Sequence, residues 1–415
     1  MTAPAQSAWW RQVTADQWKA FAATFLGWGL DGFDFTILTF LLADIQRSFT
    51  VSRALLGALG TVTLVCRVVG GIGAGTAADR WGRKAPLMFS ILWYSMFAFL
   101  SGFSTSYRML FAFRALFGIG MGGVWAAGMP LTLEHWPPHL RGTASGLLQS
   151  GYSVGFVLSS MVFQFGYPLV SGHGDRGWRT MLWIGILPAL LVFWIITSVR
   201  ESPVWLERRR HLDDTHERDT LSLARLFRSD LRPVTFHTSV LMGAFICSYH
   251  SITFWYPTFL SIRGLPPVPF LLAFNLGAIL GTIICGHLSE TSLGRRGAST
   301  VAMAIGIAVT PLFLYGNSGW LLWVGAFAIG SFASGAWGIV PGYLSERFPT
   351  EARAAGAGFA YHVGAGLGAF TPYLIGGLQD RGLSLASAMA SCIVAAGVAV
   401  IALLWLGPET RGRSF

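Results

Sequence analysis

The sequence predicts an all-α membrane protein of twelve helical spans, arranged as two pseudo-symmetric six-helix bundles, and three observations predict it. Of its 415 residues, 53% are hydrophobic and only 12% charged. Soluble domains carry roughly 25% charged residues, so this chain has too little polar surface to clothe a soluble fold. Apolar stretches long enough to cross a hydrocarbon core of about 30 Å recur along its length. Short charged motifs of the first half return in the second at a nearly constant offset.

The apolar stretches fall near 18–42, 55–77, 85–103, 108–132, 142–167, 180–199, 234–260, 269–287, 301–315, 320–344, 356–378 and 384–407. Small residues dilute 269–287 and 301–315. The 51 glycines fit helices that approach closely in lipid, where no hydrophobic force drives them together. With both termini in the cytoplasm, the cytoplasmic segments hold 19 Lys and Arg and the outer loops 7, with Lys19, Arg67 and Arg114 inside spans. That bias sets the expected orientation, multi-pass in a cell inner (cytoplasmic) membrane. It also assigns the net charge of +10 to topology rather than to nucleic acid. The predicted organisation is an N-terminus (1–17), a first bundle (18–199), a cytoplasmic loop with eight arginines (200–233), a second bundle (234–407) and a cytoplasmic tail (408–415).

The halves repeat. After span 4, EHWPPHLRG carries Glu134, Pro137 and Arg141; after span 10, ERFPTEARA carries Glu346, Pro349 and Arg353, each pair 212 residues apart. After span 2, GTAADRWGRK runs from Gly75 to Lys84; after span 8, GHLSETSLGRR pairs Gly286 and Glu290 with Gly75 and Asp79 at an offset of 211. Parallel repeats of this kind place a substrate near the midplane, between the bundles.

Several classes of function are excluded. Cys66, Cys247, Cys285 and Cys392 lie in apolar runs without CxxC spacing, so they read as packing residues and neither a disulfide nor a metal is expected. Residues 1–17 are polar, so the first apolar run is expected to be retained as a helix. No phosphate-binding loop or nucleophile constellation appears, so no enzyme activity and no cofactor are expected.

The segment from Gly75 to Lys84, its degenerate copy after span 8 and the six-plus-six layout resemble the major facilitator superfamily, as do RESPVWL (Arg200 to Leu206) and PETRG (Pro408 to Gly412). FLGWGLDGFDF (Phe25 to Phe35), CRVVGG (Cys66 to Gly71) and HLRGTASGLLQSGYSVG (His139 to Gly155) are similar to the sialate/lactate:proton symporter family, and DGFDF is shared with aromatic-acid:proton symporters. The resemblance implies inward movement of organic anions with protons. In span 7, His250, Tyr256, Pro257 and Thr258 match a lactate-transporter motif, whereas Thr253 and Phe254 stand where it has Gln-Asp; in span 11, His362 and Ala365 replace an expected Gln and Asn. Which acid is moved stays open.

An ionisable group inside lipid is costly and faces a cavity or a partner. Asp31 and Asp34 lie three apart in span 1, hence on one face. Two carboxylates this close disfavour simultaneous ionisation, as a proton site requires; Asp34, deeper from the cytoplasmic mouth, is the favoured carrier, and pairing with a basic neighbour is the alternative. Arg67, mid-span in helix 2, offers a planar fork that matches a carboxylate; the resemblance makes it a substrate contact, and the residue pattern equally allows a partner for Asp31 or Asp34. Arg114 opens RALFGIGMGG, which resembles a motif linked to proton coupling; an ion pair between helices 4 and 1 is the alternative. His250 is a candidate for both coupling and substrate binding, and His362 for substrate binding across from it. Gln149 and Tyr152 are candidate neutral hydrogen-bond partners of a bound acid. Trp125, Trp255 and Trp337 read as packing or interface residues rather than a sugar platform.

Gly75, Asp79, Arg80, Gly82, Arg83 and Lys84, with Glu134, Arg141, Glu290, Glu346 and Arg353, are expected to gate the cytoplasmic face through contacts that break and reform. The expected mechanism is rocking of the two halves about a midplane site in a functional monomer, driven by protons and loaded with a small organic acid such as lactate, sialate or an aromatic acid. A proton-coupled exporter of drugs or metabolites uses the same fold and is the alternative; a neutral-sugar porter is disfavoured by Arg67.

Overall fold

The computed structural model describes residues 9–137, 141–215, 222–349 and 353–411. In the first half, α1 (Ala15–Phe49), α2 (Arg53–Trp81), α3 (Lys84–Ser101), α4 (Tyr107–His135) and α5 (Arg141–Val170) are continuous, and span 6 is α6 (Arg176–Trp183) followed by α7 (Ala189–Ser198). The loop between the halves carries α8 (Pro203–Thr215) and α9 (Ser222–Arg225). The second half comprises α10 (Arg232–Thr253), α11 (Tyr256–Ile262), α12 (Pro267–Leu288), α13 (Gly294–Tyr315), α14 (Gly319–Ile329), α15 (Val340–Glu346), α16 (Arg353–Gly368), α17 (Thr371–Asp380) and α18 (Leu385–Leu406). Among the described residues, ten segments are long and apolar enough to cross a membrane; spans 7 and 11 are each built from two shorter helices, α10–α11 and α16–α17.

Polar residues at the span ends start the helices. Thr14 and Gln17 form a reciprocal capping box on α1, the Thr14 amide donating to Gln17 Oε1 at 2.8 Å. Ser52, Ser106, Ser318 and Ser384 accept backbone N–H bonds at the starts of α2, α4, α14 and α18, satisfying donors that lipid cannot. Proline marks the interruptions: Pro257, Pro341 and Pro372 sit in the first turns of α11, α15 and α17, where a missing N–H costs nothing. A Pro inside an apolar run is compatible with an unbroken span, so the sequence predicts single helices where the structure has two.

Small residues set the helix spacing within each half. A Cβ on Gly155 would overlap the Gly29 carbonyl of α1, one on Gly122 the Arg67 carbonyl of α2, and one on Gly281 the Ser331 carbonyl of span 10. Contacts between the halves run from α2 to α16 and α17, from α5 to α12, and from α1 to α11. Toward the predicted outer face they are tight: Phe254 lies against Gly60, and a Cβ on Gly57 would meet the Pro372 carbonyl at 2.7 Å. At mid-depth Gly71 of α2 abuts the His362 ring. One turn nearer the predicted cytoplasmic face, a Cβ on Gly75 would meet, among the described residues, only Ala126 of its own half, at 3.8 Å, and one on Gly358 would meet no described atom of another segment within 4 Å.

Candidate functional site

Arg67 stands where the halves meet. It is 3% exposed, and its guanidinium lies over Trp28 at 5.0 Å and over Tyr361 of the second half at 5.4 Å. One terminal nitrogen donates to the Tyr361 hydroxyl at 3.4 Å, and Nε has no hydrogen-bond partner. The ion pairs among the described residues do not include Arg67. A guanidinium held over two aromatic faces and one neutral phenol keeps capacity for an anion.

Aromatic rings from both halves surround it. Trp125 stacks on Tyr361 with centroids 4.1 Å apart and planes 5° apart, and Trp125 meets His362 edge-on at 5.8 Å. Tyr152, packed on Gly32, lies 5.1 Å from Trp28 and 6.1 Å from Tyr249. Tyr249 in turn faces Trp337 at 5.9 Å and His250 at 5.5 Å. Trp125 and Trp337, expected as packing or interface residues, therefore line the centre instead. Nothing in their spacing along the chain distinguishes an inward indole from a lipid-facing one. Trp255 ties span 7 to span 11 through Pro372, as a packing residue does.

The predicted acids part company. Both are fully buried, but a Cβ on Gly185 would lie 2.9 Å from Asp34 Oδ1, so Asp34 turns into the first bundle toward the junction of α6 and α7. Both oxygens of Asp31 lack hydrogen-bond partners. Arg114 donates to the backbone carbonyl of Asp34 at 3.4 Å and lies over its own Phe117 ring at 4.1 Å. Helix 4 is thus joined to helix 1 here by a bond to backbone, whereas the ion pair given as the alternative for Arg114 would use a carboxylate. His250, His362 and Gln149 are buried; His250 Nδ1, both nitrogens of His362 and Oε1 of Gln149 are unpartnered.

The gating residues form two matching cages at the predicted cytoplasmic face. In the first, Arg83 donates to Glu134 at 3.1 and 3.3 Å and to Asp79 at 2.6 Å. Glu201 accepts from the backbone N–H groups of Arg83 (2.8 Å) and Lys84 (3.1 Å). In the second, Arg295 donates to Glu346 at 2.8 and 3.2 Å and pairs with Glu290 at 2.7 Å, while Glu409 accepts from the amides of Arg295 (2.9 Å) and Arg296 (3.0 Å). Ser202 and Thr410 donate to Glu134 and Glu346 in the same position. Gly82 (φ +94°) and Gly294 (φ +67°) make the left-handed turns against Glu201 and Glu409; a side chain there would be strained and would collide with the carboxylate. Partial burial pushes the Glu409 carboxyl up, but backbone N–H bonds from Arg411, Arg296, Arg295 and Thr410 outweigh it and hold it below its usual range. Burial works against the Arg83 cation, yet Glu134 and Asp79 hold its proton more tightly than usual. Arg80 lies over Trp81 at 5.7 Å, outside the first cage, and Lys84 Nζ donates to the Ile196 carbonyl at 2.8 Å. Arg141 and Arg353 open α5 and α16; their side chains lie outside the described residues. Sequence reasoning missed Glu201, Ser202, Arg295, Glu409, Thr410 and Gly294 as cage members. The RESP and PETRG segments and the Gly-Arg-Arg of the degenerate copy were the available signals.

Two helical bundles of membrane-spanning length with a buried polar site between them have the architecture of a multi-pass membrane protein. The chain belongs to the Major Facilitator Superfamily, which it matches over residues 24–372, and is therefore a transporter and not an enzyme. It is 34% identical to a probable 4-methylmuconolactone transporter of Cupriavidus pinatubonensis over 412 residues, 98% of this chain and 94% of that one. It is 31% identical to the sialic acid transporter NanX of Escherichia coli, covering 99% of this chain and 98% of the relative. Its fold superposes on a solved D-xylose-proton symporter with a TM-score of 0.75 at 20% identity, over 97% of this chain and 100% of that one.

Proposed function

We propose that this protein takes up an organic carboxylate together with protons by alternating access, as a single copy in the inner membrane with both termini cytoplasmic. The observation that carries the reading is Arg67: buried between the halves, paired with no acid among the described residues, and capped by a neutral phenol. The similarity to a sialic acid transporter agrees with it.

Charge balance supplies the coupling. Asp31, Asp34, Arg67 and Arg114 together sum to zero when all are ionised. A substrate carboxylate on Arg67 adds one negative charge, and moving net charge through a low-dielectric site is unfavourable. One proton on Asp31 restores neutrality and relieves a carboxylate that otherwise sits buried without a hydrogen bond. Asp31, whose two oxygens have no hydrogen-bond partner, suits this role better than Asp34, which is turned toward Gly185. Arg114 positions α1 from α4. His250, His362, Gln149 and Tyr152 offer the polar groups that complete the contacts to the acid. The cages at Arg83 and Arg295, with Asp79, Glu134, Glu290 and Glu346, lock each half at the cytoplasmic face and reorganise as the halves rock.

The test is uptake into vesicles holding the purified protein under an imposed pH gradient, screening lactate, sialate, benzoate and short dicarboxylates. Accumulation of one acid above equilibrium, driven by outside acidity and abolished in Arg67→Gln, is expected. Accumulation driven by inside acidity, or uptake indifferent to Arg67→Gln, overturns the reading.

A further inference from the structure

We propose that Tyr361 is a built-in stand-in for the substrate. Its ring and hydroxyl occupy the places that the ring and carboxylate of a flat, ring-sized acid take when bound, so the site selects planar acids by displacing it. This rests on the carboxylate-transport reading above and narrows it.

Tyr361 combines the two features such a ligand needs. Its ring lies flat on Trp125, with centroids 4.1 Å apart and planes 5° apart. The neighbouring aromatic pairs are tilted or edge-on: Trp28 with Tyr152 at 44°, Tyr152 with Tyr249 at 70°, Tyr249 with Trp337 at 76° and Trp337 with Tyr361 at 74°. Its oxygen accepts from Arg67 across 3.4 Å. That bond is long and its acceptor is uncharged, whereas a carboxylate gives the guanidinium two shorter bonds in which both partners carry charge. The exchange therefore favours an incoming acid once the acid also regains the stack on Trp125. There is space beside the ring: a Cβ built on Gly358, three residues away on α16, would meet no described atom of another segment within 4 Å.

Shape follows from the geometry. A planar conjugated ring keeps the stacked spacing, while a saturated chair-shaped ring of the same charge is thicker and presents no π-face. Trp125 belongs to α4 of the first half and Tyr361 to α16 of the second. Displacement thus also opens a contact between the halves at the level of the substrate.

The experiment compares benzoate with cyclohexanecarboxylate as competitors for binding to the full-length protein purified in detergent, alongside lactate and sialate. Wild-type protein is expected to prefer benzoate by about three- to tenfold, the range of an aromatic stack. Trp125→Leu loses the preference, and Tyr361→Phe, which removes only the competing oxygen, binds benzoate about two- to tenfold more tightly. Equal wild-type affinity for the two ring acids overturns the proposal without any variant, and so does weaker benzoate binding by Tyr361→Phe. If lactate or sialate binds while the ring acids show no preference, only this inference falls. If no acid binds or is taken up, the transport reading falls with it.

Discussion

Replacing Arg67 by lysine separates charge from shape at the point where the substrate is held. The guanidinium is 3% exposed and lies over Trp28 at 5.0 Å and Tyr361 at 5.4 Å, so its plane is already oriented. A lysine keeps the positive charge but offers a point rather than a fork, and it loses the flat contact with both rings. One of two charge-assisted hydrogen bonds to a carboxylate is then missing, worth about 1.5–3 kcal/mol. That corresponds to roughly ten- to hundredfold weaker binding. Arg67→Gln removes the charge as well and is expected to abolish binding. Equilibrium competition with the preferred acid measures the first effect and gradient-driven uptake the second, with the melting temperature of each variant in detergent as a control. A lysine variant within twofold of wild type would refute the fork as the recognition element. A glutamine variant that still accumulates the acid would refute Arg67 as its holder.

Further outcomes follow from the same structure. Asp31→Asn is expected to abolish uphill accumulation while leaving exchange of external for internal acid; retention of a pH-driven overshoot removes Asp31 from the coupling path. Gly155→Leu forces a side chain onto the Gly29 carbonyl and is expected to destabilise the first bundle by about 1–3 kcal/mol or more, seen as a lower melting temperature; an unchanged melt contradicts the close α1–α5 packing. The Glu409 carboxyl is held below its ordinary value of 4.5, so the second cage gains stability above that value and loses it as pH falls through the lowered one. A limited-proteolysis titration of the tail in wild type should show loosening only below about pH 4.5, and Glu409→Gln should be loose at every pH.

Ionisable residues inside apolar runs stand out on a page, which is why Asp31, Asp34, Arg67, Arg114, His250 and His362 are legible as candidates without coordinates. Aromatic residues do not stand out. Trp28 and Tyr361 lie in runs where any large side chain fits, and only the rotation of each helix about its axis turns them toward Arg67. The three-residue spacing of Asp31 and Asp34 puts them on one side of α1 but leaves open which points to the partner half; Gly185 decides it by leaving room for Asp34. The duplicated motifs reveal two halves and the Glu134–Glu346 correspondence. Their partners across the loop and tail, Glu201 and Glu409, follow only when the chain closes back on itself. Spans 7 and 11 read as continuous because hydropathy does not report the break that Pro257 and Pro372 permit.

The two cages differ in when they can be assembled. The first needs Asp79, Arg83, Glu134, Glu201 and Ser202, all present once the chain has been made slightly beyond its sixth span. The second needs Glu409 and Thr410, which follow the twelfth span. During synthesis the leading bundle can therefore lock while the trailing one is still being inserted, and the trailing bundle stays unlatched until its final span has entered the membrane. A chain shortened after Leu406 would keep all twelve spans yet lack that last fastening, so surveillance by membrane proteases should distinguish it from the full-length protein even though its hydropathy profile is complete.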